Sequence, residues 1–276
     1  DDSVTTANIN MVTSLDVSSQ TISDLTGIED FTSLSSLRCF SNQLTALDVN
    51  NNNALTYLSC SSNQLTALDV SQNTALISLF CGGNQLTNLD VSNNTALTQF
   101  YCNSNQLTSL DVSNNTSLLG LGCENNQLTS LDASNNTALT YLFCGPNQIT
   151  TLDLSLNVAL FELYCYSNQL TSLDLRNGNN QNLAIFDFTN NPNLTCINVD
   201  DAAYSTANWF DIDAQTSFNE DCSSVVGIKQ YTSSKTLIKT LNIMGRETTF
   251  KPNTLLINLY DDGSVEKAFT KGLLNN

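Results

Sequence analysis

The sequence predicts an α/β-type solenoid, mostly strand and coil, made of stacked 21-residue coils and ending in a small β-rich tail. Three columns of residues carry this expectation. Cys39, Cys60, Cys81, Cys102, Cys123, Cys144 and Cys165 recur every 21 residues, Asn42 to Asn168 follow at the same spacing, and Asp48 to Asp174 repeat with them. A fixed period of this length marks a stacked architecture. Within Tyr57-Leu58-Ser59-Cys60-Ser61, Leu58 and Cys60 alternate with the rest, which is the period of a strand. Leu58 and Cys60 are therefore expected to face inward, and Tyr57, Ser59 and Ser61 outward. One coil cannot bury its own leucines; stacked coils can, each strand pairing in parallel with its equivalent in the next. At a strand spacing of about 4.8 Å, eight coils make a parallel sheet roughly 34 Å wide.

The elements follow in order. Residues 1–38 read as an N-terminal capping segment: the pattern starts at Val12-Thr-Ser-Leu15-Asp16-Val17, and residues 21–36 are irregular. Terminal repeats depart from the pattern because they close the exposed core. Residues 39–199 are the repeats, the last of them with Phe188 in place of the column cysteine and with Leu194, Ile197 and Val199 completing the apolar set. Residues 200–223 form a C-terminal cap, with Tyr204, Trp209, Phe210 and Phe218 bracketed by Cys196 and Cys222. A disulfide between these two closes a loop of about 27 residues, which stabilises by roughly 3–4 kcal/mol. Residues 224–276 hold seven of the nine basic side chains. They read as two or three short strands, over Leu241–Glu247 and over Leu256–Lys267, with Asp262-Gly263 as a hairpin turn.

The half-coil Leu55-x-x-Leu58-x-Cys60-x-x-Asn63-x-Leu65 resembles the signature of the leucine-rich repeat family, with Cys in one Leu position. Leu65-x-x-Leu68-x-Val70-x-x-Asn73 is a degenerate second copy, and the resemblance covers residues 12–199. It implies a right-handed solenoid whose exposed sheet positions form the binding face. The cap resembles the ends of secreted bacterial leucine-rich repeat proteins. In the tail, Met244-Gly-Arg-Glu247 and Leu259-Tyr-Asp-Asp-Gly-Ser-Val-Glu-Lys267 resemble the C-terminal sorting signal of the type IX secretion system of Bacteroidetes. That resemblance implies export, a secreted or cell-surface location, and the secretion machinery as a partner of the tail. The opening Asp1 fits a removed leader peptide or a trimmed chain.

Composition removes several function classes. There are 26 acidic side chains against 9 basic ones, a formal net charge of −17, and no histidine. Such a field repels nucleic acid and anionic membrane surfaces. Without histidine, Ser-His-Asp and Cys-His mechanisms are out. No apolar run is long enough to span a membrane. No cofactor is expected, and the chain is expected to be a monomer. Glycosidase chemistry needs only two carboxylates, but the acidic residues stand on a regular ladder with none singled out.

Candidate binding residues come from the outward strand positions. One column is Arg38, Ser59, Phe80, Tyr101, Gly122, Phe143, Tyr164 and Asp187; a second is Ser36, Tyr57, Ser78, Gln99, Gly120, Tyr141, Glu162 and Ile185; a third runs from Phe40 through Glu124 to Tyr166 and Thr189. These vary while the frame repeats, and aromatics are over-supplied on them. An exposed aromatic cluster is the usual energetic centre of an interface, so Tyr57, Phe80, Tyr101, Tyr141, Phe143, Glu162, Tyr164 and Tyr166 are the ligand-binding candidates. Gly120 and Gly122 are expected to leave a shallow gap between two aromatic groups. Alternatively, the rings stiffen the sheet.

The remaining columns read as structure. Inward asparagine amides serve backbone groups at each turn, and the cysteines act as small buried hydrophobes. Each ladder aspartate is expected to accept backbone N–H groups at its turn; the alternative is a calcium ladder over Asp69, Asp90, Asp111 and Asp132. The threonine row Thr45 to Thr171 opens a further alternative, an ice-binding surface. The expected function is non-catalytic extracellular recognition of a protein or glycan, against a structural or adhesive spacer with no specific ligand.

Overall fold

A computed structural model describes residues 9–224, 237–242, 246–249, 255–260 and 265–269. The chain divides into two units, Asp1–Ser224 and Val225–Asn276. In the first, each coil contributes one three-residue strand to a parallel sheet: β1 (Ser14–Asp16), β2 (Ser36–Arg38), β3 (Tyr57–Ser59), β4 (Ser78–Phe80), β5 (Gln99–Tyr101), β6 (Gly120–Gly122), β7 (Tyr141–Phe143), then, past β8 (Thr151–Asp153), β9 (Glu162–Tyr164), and, past β10 (Ser172–Asp174), β11 (Ile185–Asp187). The sheet has nine strands in the order β1-β2-β3-β4-β5-β6-β7-β9-β11. It gains one coil over the eight read from the sequence, because β1 pairs with β2 from Leu15 onto Leu37. The Thr13 carbonyl also accepts the N–H groups of Ser35 and Ser36.

The second half of each coil runs along another side. Strands form there only late: β8 and β10 pair, and β10 pairs with β12 (Cys196–Asn198), which pairs with β13 (Ser217–Asn219). In earlier coils the same side is joined by single backbone bonds, such as Gln85 N–H to Leu65 O at 2.8 Å.

Stacking is fixed by what the coil interior needs. Leu58, Leu79, Leu121, Leu142 and Leu163 are fully buried, as is every ladder cysteine. Burying one such side chain contributes about 1.5–3 kcal/mol. All seven ladder thiols are free, and burial pushes those of Cys39 and Cys81 up to about 12; thiols so protonated are inert. The turns carry polar groups inward. Asn105 Nδ2 donates to Cys81 O and Cys102 O at 3.1 and 3.0 Å, and its Oδ1 accepts the Leu86 N–H at 3.0 Å. Its equivalents from Asn63 to Asn168 repeat these bonds. A second column does part of the same work: Asn94 Nδ2 donates to Val70 O and Asn73 O. The residue before each first-column asparagine except Asn147 turns left-handed: Ser41, Ser62, Gly83, Ser104, Asn125 and Ser167 have φ between 52° and 66°.

The C-terminal end of the first unit is closed by helix α1 (Ala202–Asn208) and an aromatic cluster. Asp201 caps α1 by accepting the Tyr204 N–H at 2.9 Å. Trp209 is 3% exposed and packs on Phe186, Phe188 and Phe218 at centroid distances of 5.2, 5.9 and 5.6 Å. Phe210, expected in this cap, is 75% exposed and takes no part: with Trp209 filling the end of the core, the next side chain points away. Cys196 and Cys222 are bonded, with Cα atoms 5.8 Å apart.

The second unit is a three-stranded antiparallel sheet, with β15 (Leu255–Tyr260) between β14 (Leu237–Leu241) and β16 (Val265–Phe269). The strand expected over Leu241–Glu247 lies earlier. The chain leaves β14 at Leu241, where the Asn242 N–H donates to Arg246 O, and Glu247 bridges back to Leu241. The expected turn at Asp262-Gly263, together with Met244 and Gly245, lies outside the described residues. No helix among the described residues is long and apolar enough to cross a membrane.

Candidate functional site

The outward columns stand in register. Arg38, Ser59, Phe80, Tyr101, Gly122, Phe143, Tyr164 and Asp187 are successive Cα partners across the sheet, and so are Ser36, Tyr57, Ser78, Gln99, Gly120, Tyr141, Glu162 and Ile185. Side chains at paired positions interact directly. Tyr57 and Phe80 lie 5.5 Å apart between centroids, Phe80 and Tyr101 stack at 5.3 Å, Phe143 and Tyr164 stack at 5.4 Å, and Tyr164 meets Tyr166 edge-on at 6.4 Å. At the N-terminal end, the Arg38 guanidinium carbon sits 4.8 Å from the Tyr57 ring centre. Among the described residues Tyr141 belongs to no ring pair, and it is the most exposed of the candidate aromatics.

The gap expected at Gly120 and Gly122 is filled. Tyr101 and Phe143 are two strands apart, a spacing of about 9.6 Å at the rungs, yet their centroids are only 6.5 Å apart. The rings lean together over Gly122, where an added Cβ would lie 2.5 Å from Tyr101 Cδ1. A Cβ on Gly120 would lie 2.6 Å from Gln99 Oε1 and 2.8 Å from the Tyr101 hydroxyl. The glycines make room for their neighbours' side chains, so one ribbon of rings runs unbroken from Tyr57 to Tyr166.

Carboxylates border the middle of this ribbon. Glu124 Oε2 is buried without a hydrogen-bond partner, and burial holds this carboxyl above its usual range. Burial, followed by the nearby Glu124 and Glu162 carboxylates and Tyr141, raises the Tyr101 phenol. At Tyr164 the same direction follows from burial and then from Glu162, Asp187 and Asp211. Sequence reading placed Glu124 in the third column but did not select it. The available signal was that it alone is charged among Phe40, Ser61, Gly82, Asn103, Gly145, Tyr166 and Thr189.

The aspartate side is different. Asp69 Oδ1 accepts the Ser71 N–H at 2.9 Å, and Asp90, Asp111 and Asp132 serve Ser92, Ser113 and Ser134 alike. The serine hydroxyl and N–H hold Asp90, Asp111 and Asp132 below the usual carboxylate range, and for Asp69 the N–H leads. Open grooves of about 400 Å³ lie along this side, between Asp132 and Asp153 and again between Asp90 and Asp111. Their recurrence follows from the stacking of identical turns. Among the described residues no group of three His, Cys, Asp or Glu side chains is placed to hold a metal ion; Asp69, Asp90, Asp111 and Asp132, the residues of the calcium alternative, each accept a backbone N–H instead.

No protein-family model and no curated protein matches the chain. Solved structures do. Internalin C2 of Listeria monocytogenes aligns over 71% of this chain and 84% of its own, with a TM-score of 0.56 at 23% identity. A leucine-rich repeat protein of Leptospira interrogans aligns over 70% of this chain and 50% of its own, at 0.52 and 21%. The leucine-rich repeat domain of APL1B aligns over 70% and 67%, at 0.50 and 20%. With the stacked parallel strands and the 21-residue spacing, these likenesses make the fold that of a leucine-rich repeat solenoid.

Proposed function

We propose that this chain is a non-catalytic recognition module that holds a protein or glycan on the outer face of the nine-stranded sheet. The observation that carries the reading is the ring ribbon from Tyr57 to Tyr166, part-exposed and continuous across the sheet. A protein-interaction role fits the fold of its structural neighbours, although fold alone does not assign function. Tyr57, Phe80, Tyr101, Tyr141, Phe143, Glu162, Tyr164 and Tyr166 are the contact residues in this reading. The test is an array of proteins and glycans probed with the full chain and with a Tyr141→Ala/Tyr164→Ala variant. Ligands of the wild type are expected to lose at least about tenfold in affinity, the size of a small hot spot. Ligands held equally by both chains would remove the sheet face as the site.

The setting belongs to the same proposal. The Cys196–Cys222 bond suits an oxidising compartment, and the free thiols are all buried. The separate β-unit with its basic side chains supports the tail as an export signal. Fusing residues 225–276 to a reporter in a Bacteroidetes host would check it: export of the fusion is expected, and retention in the cell would remove the signal.

A further inference from the structure

The middle of the sheet face has a charge property that recognition in general does not require. All but four of the 26 acidic side chains lie in residues 1–224, with only two of the nine basic ones, Arg38 and Arg176. Arg38 sits at the N-terminal end of the ribbon, on Tyr57. Between there and Tyr166 the outward columns offer carboxylates and no cation. The Glu124 carboxyl is the most constrained of these: it lies against Gly122 and Tyr101, with Oε2 enclosed and unpaired.

The backbone beside it is irregular too. Ser41, Ser62, Gly83, Ser104 and Ser167 each donate an N–H across to the next coil. No such rung joins Asn125 to Gly145, and Pro146 has no N–H to give; the Gly145 N–H turns instead to Tyr164 O at 3.1 Å. Proline cannot adopt the left-handed conformation found at this position in the neighbouring coils. The break in the ladder therefore falls beside the carboxyl whose Oε2 is unpaired.

A carboxylate oxygen enclosed without a partner, as Glu124 Oε2 is, is costly, and a cation at the part-exposed carboxyl offsets that cost. Flat ring faces beside it attract guanidinium and ammonium groups, and Arg38 on Tyr57 shows the ribbon accepting such a group from its own chain. We propose that the sheet face is a socket for an arginine or lysine side chain on a basic segment of a partner protein, the cation resting on Tyr101 and Phe143 and pairing with Glu124 and Glu162. This rests on the recognition reading of the same face and adds the chemistry of the partner.

The test uses the full chain at low ionic strength, titrated with acetyl-Gly-Arg-Gly-Arg-Gly-amide, with the same peptide carrying Gln for Arg, and with cellohexaose as a neutral sugar, followed by NMR. The arginine peptide is expected to bind at least about tenfold more tightly than the glutamine peptide, as suits a charge-assisted contact on an aromatic face. Glu124→Gln/Glu162→Gln, nearly isosteric with the wild type, should abolish that preference. Asp111→Asn/Asp132→Asn, the same change in net charge on the other side, should leave it intact. Equal affinity for the two peptides, binding of neither, or an equal loss in the Asp111/Asp132 control overturns the socket. If cellohexaose binds, loses affinity in Tyr141→Ala/Tyr164→Ala and is indifferent to Glu124→Gln, the face survives as a recognition surface and only the cation preference falls. If no ligand responds to Tyr141→Ala/Tyr164→Ala, both readings fall together.

Discussion

The two long sides of the first unit are built from the same repeat and solve opposite problems. On the aspartate side the turns repeat, and each ladder carboxylate from Asp48 to Asp174 accepts the N–H of the residue two positions on, a serine from Asp69 to Asp153. On the sheet side the outward positions differ from coil to coil, the rings depend on one another, and Glu124 Oε2 is left without a donor. The row that looks most like a binding ladder in sequence is thus satisfied internally, while the irregular face retains unmet capacity. Repetition marks what stacking needs; departures from it, here Gly122, Glu124 and Pro146, mark what stacking does not explain.

The comparison breaks first at the frame the two sides share. Asn105→Ala leaves the Leu86 N–H without its partner and takes one of two amide donors from each of Cys81 O and Cys102 O, which keep Asn84 and Asn126. At about 1–3 kcal/mol for the donor left unsatisfied, with a smaller weakening at each carbonyl, a loss of roughly 3 kcal/mol is expected in urea unfolding. Next comes Gly122→Ala, whose Cβ would collide with Tyr101. Overpacking of this kind costs about 1–3 kcal/mol, and the Tyr101–Phe143 contact should open, visible as lost cross-peaks between the two rings. An unchanged ring contact would mean that the ribbon does not depend on glycine there.

A smaller effect, of opposite sign, is expected at Glu124. Because burial raises its folded pKa, the folded state takes up this proton more readily than the unfolded chain. The associated stability is complete below the ordinary value of 4.5 and is lost as pH rises through the raised value. Glu124→Gln should therefore stabilise at neutral pH, by less than about 1 kcal/mol given its partial exposure, and the advantage should vanish in acid. Thermal melts of both chains between pH 3 and pH 8 decide it; a destabilised variant at pH 7 would show that the carboxylate has a partner after all. The ladder aspartates respond the other way. Asp69, Asp90, Asp111 and Asp132 have lowered values, so their contribution is present above 3.8 and is lost as pH falls through the folded values. Asp111→Asn should flatten that acid decline slightly and change little at pH 7.

Much of this molecule was legible before its structure. The register of the two main outward columns as far as Glu162 and Tyr164 follows residue by residue from the cysteine spacing, since stacked coils of equal length place position i beside position i+21; the last step, onto Ile185 and Asp187, is 23 residues. The inward asparagines were legible for the same reason, as buried turns require side-chain partners for their backbone groups. The extra strand β1 was harder, because the spacing from Leu15 to Leu37 is not that of the later coils. Phe210 was misplaced because Trp209 already fills the space against Phe186, Phe188 and Phe218, and sequence does not show which of two adjacent rings turns inward. Columns, faces and charge thus follow from the chain alone, being consequences of a period and a composition. That Tyr101 and Phe143 close over Gly122, and that Glu124 Oε2 is enclosed without a donor beside Pro146, depends on how neighbouring side chains and one irregular turn share space across coils, which a linear spacing does not encode.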